Sequence, residues 1–282
     1  ASLGTPPGTM SLITSHQNQK IKLARSLRTR KGRDSSGMFL VEGIHLVGAA
    51  VEAHQAGINI EGIFYAPDFL HSDFATQLIH SQERKGVPCY PTANDVFQSL
   101  AAKENPQGLI AIVHQPKMSI NQLTISNFPW GVAAVAPQDP GNVGTLLRTI
   151  DAVGANGLIL LGDSTDPYHP SSVRASMGAI FWYPVAKASL AEFTHWVEEN
   201  GYALFGSSAH GATRASQVEN YQKPLILLLG SERKGLTTEQ IALCKQVIGL
   251  PMHGHGSSLN FAVAASVLLY SMLDRLVPPK ST

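Results

Sequence analysis

Residues 250 to 260 read Leu-Pro-Met-His-Gly-His-Gly-Ser-Ser-Leu-Asn, and an apolar run over 261–273 follows without a break. A glycine-rich, almost uncharged loop that opens straight into a helix constrains this chain more than any other feature. It presents backbone N–H groups and small polar side chains at a helix N-terminus, an arrangement suited to holding a ligand. Ser258 or Asn260 supplies the cap. Ala262, Ala264, Ala265 and Ser266 keep the helix slim enough for another backbone or a second subunit to approach closely. A capped core helix behind a flexible loop would carry the same signature, so the rest of the chain must decide.

Two other stretches do so. Asn142-Val143-Gly144-Thr145-Leu146-Leu147-Arg148 has the form N-x-G-x-x-x-R, and Gly230-Ser231-Glu232-Arg233-Lys234-Gly235 the form G-x-E-x-x-G. The loop itself reads L-P-M-x-G-x-x-x-S-L-N. Any one block would be weak, since N-x-G-x-x-x-R alone recurs in many helices. In this order and spacing the three resemble the SpoU/TrmH family of S-adenosylmethionine-dependent RNA ribose 2′-O-methyltransferases, within the wider SPOUT group. Arg174-Ala175-Ser176-x-Gly178-Ala179 resembles a further family segment, and 15–43, through Phe39-Leu40-Val41-Glu42-Gly43, resembles the small substrate-binding domain that precedes many SpoU domains.

Length and pattern agree with two domains. The chain has 282 residues, 44% hydrophobic and 15% charged, a globular composition. Hydrophobic periodicity predicts helix over 19–27, strand over 38–41, helix 44–55, strand 60–65, helix 68–84, strand 87–90, helix 93–100 and strand 108–113, an α/β domain over 11–115. Residues 116–129 are polar, carry Pro116 and Pro129, and read as a linker. A second α/β pattern fills 130–277. Its strands are predicted at 131–136, 157–161, 181–185, 202–207, 225–229 and 246–250. Its helices fall at 142–153, with Asn142 near the N-cap, and at 171–177, 190–200 and 237–244. Pattern alone gives a doubly wound parallel sheet with its ligand at the carboxyl ends of the strands, where all three motifs begin. The resemblance adds that the final segment is threaded into a trefoil knot and that the domain forms a homodimer near the cofactor site.

Net charge is only +1, but Lys20, Lys22, Arg25, Arg28, Arg30, Lys31 and Arg33 precede the first acidic residue, Asp34. This is a basic arm for RNA phosphates, and Arg174 is a further candidate. A two-domain layout with such an arm favours ribosomal over transfer RNA. The two cysteines, Cys89 and Cys244, have no disulfide or metal spacing and are expected reduced, in the cytoplasm. The run 261–273 is short for a membrane span of about 20 residues. Residues 1–9 read as tag remnant or tail. His253 and His255 form H-x-H with no third ligand at usable spacing, so no metal is expected.

By resemblance the cofactor contacts fall on Gly230, Leu250 and Leu259, with Met252 and Ser258 as further candidates, and the catalytic set is Arg148, Asn142, Glu232, Ser258 and Asn260. Methyl transfer from a sulfonium requires in-line alignment of the 2′-oxygen and loss of its proton. Arg148 leans over the turn holding Gly144. A guanidinium keeps its charge under ordinary conditions, so it suits phosphate binding and alkoxide stabilisation better than proton abstraction. Asn142 orients the ribose or holds the loop, and Glu232 pairs with Arg148. The family's usual Val-Ser after the asparagine is Phe261-Ala262 here. Two other readings remain: an RNA-binding protein on the same fold without methyl transfer, and methylation of a base nitrogen.

Overall fold

The computed structural model describes residues 10–102, 106–209 and 213–277, and the expectation for residues 1–9 lies outside them. The chain divides into two compact units, Ala1–Pro116 with Tyr168–Arg174, and Lys117–Pro167 with Ala175–Thr282.

The first unit runs α1 (Gln19–Ser26), α2 (Arg30–Ser36), β1 (Met38–Glu42), α3 (Ile44–Glu52), β2 (Ile60–Tyr65), α4 (Asp73–Arg84), β3 (Cys89–Pro91), α5 (Asn94–Gln98) and β4 (Leu109–His114). Side chains of Asn18, Thr29 and Ser72 cap α1, α2 and α4 by accepting first-turn N–H groups. The sheet order is β1-β4-β2-β3, with β4 antiparallel to β1 and β2, and β3 parallel to β2. Phe64, Phe97, Ile21 and Leu27 lie in its core.

Arg33 corrects the reading of the basic arm. Lys20, Lys22, Arg28, Arg30 and Lys31 are exposed and Arg25 is half-buried, but Arg33 is 1% exposed. Its Nη1 donates to the Leu27 carbonyl at 2.8 Å. It lies in the last turn of a seven-residue helix that packs on β1. A run of like charges does not reveal which member faces inward, and this one ties α1 to α2.

The second unit contains β5 (Trp130–Val135), α6 (Pro140–Val153) and β6 (Leu158–Leu161). After α7 (Pro170–Ala175), most of which belongs to the first unit, come β7 (Val185–Ala188), α8 (Leu190–Asn200), β8 (Ala203–Ser207) and β9 (Thr213–Arg214). β10 (Leu225–Leu229), α9 (Thr238–Ala242), β11 (Gln246–Gly249) and α10 (Phe261–Leu273) complete it. The seven-stranded sheet has the order β7-β6-β5-β10-β8-β11-β9, and every pairing is parallel. Leu-Ile-Leu-Leu-Leu in β10 is buried throughout, as a strand covered on both faces requires.

Three expectations for the second unit change, and in the first the helix expected over 68–84 begins only at Asp73, where Ser72 caps it. The strand expected over 181–185 is displaced to Val185–Ala188 because Met177 (φ 51°) and Gly178 (φ 96°) turn left-handed and start a 3-10 turn, Ala179–Phe181. The stretch 116–129 is no bare linker. From residue 117 it belongs to the second unit, where Ile120, Leu123 and Phe128 are core residues and the Leu123 and Phe128 carbonyls accept from Trp196 Nε1 and Tyr202 Oη. Its three apolar anchors are too widely spaced to give a period. The third change, at the start of α6, belongs to the site described below.

Both cysteines are free, and burial pushes the Cys89 thiol up to about 12 and the Cys244 thiol up to about 11, so neither is a thiolate near neutral pH. Among the described residues no helix is long and apolar enough to cross a membrane.

Arg33→Ala should lower stability by about 2–4 kcal/mol, through the unpaired Leu27 carbonyl and the cavity. Lys31→Ala should change it by no more than about 0.5 kcal/mol. Urea unfolding of both variants checks the pair; equal midpoints would contradict the assignment of Arg33 to the core.

Candidate functional site

Three parallel strands deliver the three motifs from their carboxyl ends: β5 stops at Val135, β10 at Leu229 and β11 at Gly249. Beyond β5, Ala136 adopts a left-handed conformation (φ 44°), which costs roughly 1–2 kcal/mol for a residue with a Cβ. Its neighbours hold it there. Its N–H donates to the Leu161 carbonyl at 2.8 Å, and its own carbonyl accepts from Gln138 Nε2 at 2.9 Å. Gln138 Nε2 also donates to the Asp163 carbonyl at 2.8 Å.

The chain then enters α6 two residues earlier than expected. Asp139, not Asn142, is the N-cap: its Oδ1 accepts from Gly141 N at 2.6 Å and Asn142 N at 3.1 Å, with Pro140 at the first helical position. The signal was present in Asp-Pro, a cap residue followed by a proline suited to the first turn. Gln138 and Asp139 are the two site-building residues that the motif reading passed over.

With its backbone already in the helix, Asn142 is free to use its side chain. Nδ2 donates to Glu232 Oε1 at 3.1 Å, and Oδ1 accepts from Asn260 Nδ2 at 3.2 Å. Asn260 in turn caps α10, its Oδ1 accepting from Ala262 N at 2.9 Å and Val263 N at 3.2 Å. One chain of hydrogen bonds therefore joins the three motifs. Its direction is set by its ends, because helix N–H groups can only donate and an ionised carboxylate can only accept. Of the two residues able to cap α10, Asn260 does so. Ser258 is exposed and bonds to no described residue.

Glu232 does not pair with Arg148. The two asparagine contacts engage the first turn of α6, and Arg148 lies six residues on, roughly 120° around the helix. The Arg148 side chain is exposed and makes no hydrogen bond or ion pair with a described residue. The carboxylate one turn beyond it, Asp151, accepts from Tyr183 Oη at 2.8 Å. Burial first, and then that hydrogen bond, push the Tyr183 hydroxyl up to about 12. On the other side of α6, Thr149 Oγ1 lies 2.7 Å from Ser266 Oγ of α10.

Gly230 ends β10 where a side chain has no room. A Cβ there would lie 2.4 Å from the Gly235 carbonyl carbon and 2.5 Å from the Leu236 nitrogen, because residues 231–235 fold back on the strand. Ser231 and Gly235 close that fold by exchanging backbone hydrogen bonds of 3.1 and 2.9 Å. The loop after β11 is the opposite case. Residues 251–260 are exposed, and none of residues 251–259 makes a hydrogen bond with another described residue. Met252 and Leu259 are exposed on it, and Leu250 is half-buried at its start. β10 thus ends in bare backbone at Gly230, and residues 251–259 carry N–H and C=O groups that bond to no other described residue. Among the described residues no three His, Cys, Asp or Glu side chains are grouped to hold a metal. Arg174 is exposed and lies in the first unit.

Comparison with known proteins gives two family matches: the SpoU rRNA methylase family over residues 130–270, and an MRM3-like substrate binding domain over 18–111. A 23S rRNA (uridine(2479)-2′-O)-methyltransferase of Streptomyces viridochromogenes is 32% identical, over 94% of this chain and 92% of that protein. A 23S rRNA (guanosine(2553)-2′-O)-methyltransferase of Bacillus subtilis is 29% identical, over 93% and 99%. The crystal structure of an AdoMet-bound rRNA methyltransferase from Sinorhizobium meliloti superposes with a TM-score of 0.85 at 28% identity, covering 96% of this chain and 100% of that one.

Gly230→Ala should cost about 1–3 kcal/mol, since backbone rather than a mobile side chain must move. It should also expose the 231–235 loop to protease. Unchanged stability and unchanged cleavage would mean that the close approach at Gly230 does not shape this loop.

Proposed function

We propose, from the premise that this chain belongs to the SpoU rRNA methylase family, that it transfers the methyl group of S-adenosylmethionine to a ribose 2′-hydroxyl of ribosomal RNA. The observation that carries this reading is the Asn260–Asn142–Glu232 chain, which gathers three separate motifs at the carboxyl end of one sheet and leaves Arg148 uncommitted beside them. The named activities of the Streptomyces and Bacillus relatives, over nearly their whole length, support ribosomal over transfer RNA.

The site fits the cofactor. A nucleoside recognised through main-chain groups needs backbone free of internal hydrogen bonds, which residues 251–259 supply, beside a strand end at Gly230 that carries no side chain. Gly230, Leu250 and Leu259 would hold the adenosine, with Met252 and Ser258 beside them. When bound, S-adenosylmethionine supplies an activated methyl group, so no metal is required. Arg148 binds the phosphate next to the target ribose and stabilises the alkoxide as the 2′-oxygen loses its proton to phosphate or water. A guanidinium, which holds its proton tightly, is poorly suited to be the base. Asn142 and Glu232 are positioning residues, and Asn260 holds the mouth of α10 against them.

The RNA-holding surface comprises Lys20, Lys22, Arg25, Arg28, Arg30, Lys31 and Arg174, without Arg33. The protein works as a homodimer in the cytoplasm. Val263, Val267 and Tyr270 are 48%, 44% and 50% exposed along one face of α10, the kind of apolar stripe that a second copy would cover. The trefoil threading of the carboxyl-terminal segment is part of the same reading.

Arg148→Ala should bind S-adenosylmethionine within about twofold of wild type but lose methyl transfer by roughly 100-fold or more. Arg148→Lys should be nearly as slow, because a lysine lacks the bidentate fork. Calorimetric titration with the cofactor, beside a labelled methyl-transfer assay on ribosomal RNA, reads both quantities. Near-normal transfer by Arg148→Lys would contradict the bidentate role.

A further inference from the structure

The methyl-transfer chemistry leaves an exposed tryptophan of the second unit unused. Of the three in the chain, Trp130 and Trp196 are buried, at 1% and 3%, but Trp182 is 49% exposed. Its indole makes no hydrogen bond or ring contact with a described residue. The turn that carries it is held firmly. Left-handed Met177 and Gly178 send Ile180 and Phe181 into the core and leave Met177 and Trp182 outside. The Ala179 carbonyl accepts from Trp182 N at 3.0 Å and from Tyr183 N at 3.1 Å, and the Pro184 carbonyl accepts from Leu158 N at 3.0 Å. A methionine in that conformation is strained, and strain of this kind concentrates at binding sites.

The turn lies beside Arg148. Residues 179–181 pack on α6, and Tyr183 Oη bonds Asp151 of that helix at 2.8 Å. Asn142 and Thr149, which face Asn260 and Ser266 of α10, lie roughly 120° and 100° around α6 from Arg148 in one sense. Asp151, which faces Tyr183, lies roughly 60° from it in the other sense and about 4.5 Å further along the axis. Arg148 therefore stands on the exposed ridge of α6, with α10 on one flank and the turn bearing Trp182 on the other.

A strand whose phosphate is held by Arg148 can continue over either flank. The α10 flank carries the apolar stripe assigned above to a second copy. The other offers a bare indole face on a fixed turn, next to a guanidinium without an ion pair. An unpaired nucleotide has both complements, a flat base and a phosphate. A second copy fits this flank less well, because the exposed Asp151 carboxylate and the Tyr183 hydroxyl adjoin it, and the core of a protein interface is depleted of charge. We propose that Trp182 stacks on an unpaired base of the RNA, in a nucleotide flanking the methylated one, while Arg148 holds the phosphate between them. The assignment rests on the RNA methyltransferase reading above and adds a platform that places the strand. Stacking on an indole accepts any base, so the platform sets register and not sequence.

The test is acrylamide quenching of tryptophan fluorescence in the full chain with S-adenosylmethionine, using a decamer of adenosine and an abasic decamer with the same phosphates. The other two tryptophans are buried, so the quenchable signal is that of Trp182. The adenosine decamer should lower the quenching constant at least about twofold, and the abasic decamer should leave it unchanged. By anisotropy, Trp182→Ala should bind the adenosine decamer roughly tenfold more weakly and the abasic one as wild type does, with Trp182→Phe within about threefold of wild type on both. Unchanged quenching with the adenosine decamer, or equal affinity of wild type and Trp182→Ala for it, overturns the proposal. An indole already shielded in the RNA-free protein assigns this flank to a second copy and overturns it as well. Methyl transfer to ribosomal RNA is measured in parallel. Transfer without protection of the indole overturns the stacking assignment alone, and protection without transfer overturns the methyltransferase reading alone.

Discussion

The asparagine at position 142 is the joint on which the site depends. Its amide accepts from the cap of α10 and donates to the carboxylate that follows β10, so that three chain segments meet through two side-chain hydrogen bonds. The polarity of that chain is forced: α10 offers only donors at its N-terminus, and Glu232 offers only acceptors. An aspartate at 142 would set like charge against Glu232, and a serine would not span the gap. Asn142 can serve only because Asp139 and Pro140 have already begun the helix, which puts its side chain rather than its backbone at the centre.

Arg148 follows from the same frame. Glu232 accepts from Asn142 and Asp151 from the hydroxyl of Tyr183, and neither carboxylate forms an ion pair with Arg148. An exposed arginine side chain without an ion pair among the described residues is ready for a phosphate. The conformational cost at Ala136 is carried by Gln138, which bonds both the Ala136 and Asp163 carbonyls and so fixes how β5 turns into α6.

Much of this architecture was legible in the sequence. The buried parallel strands announce themselves as unbroken aliphatic runs, and 60–65, 190–200 and 225–229 match their elements end to end. What escaped had physical causes. The cap of α6 lies at Asp139 and not near Asn142 because asparagine and aspartate are nearly equal as caps. Two left-handed residues at 177 and 178 broke a strand that composition alone supports. The anchors at 120, 123 and 128 sit in a polar stretch without period, and Arg33 in a run of cations, so neither betrays its burial. The motifs named the site residues, but the partners within the site depend on angles around α6 that spacing does not give.

The most direct measurement is where the methyl group goes. The full chain is incubated with methyl-labelled S-adenosylmethionine and unmodified ribosomal RNA, and the RNA is then hydrolysed with alkali, which cannot cleave after a 2′-O-methylated ribose. The account predicts that the label is recovered in alkali-resistant dinucleotides. Label released in mononucleotides, on the base, would contradict ribose methylation, and an absence of label in RNA that the protein binds would contradict catalysis.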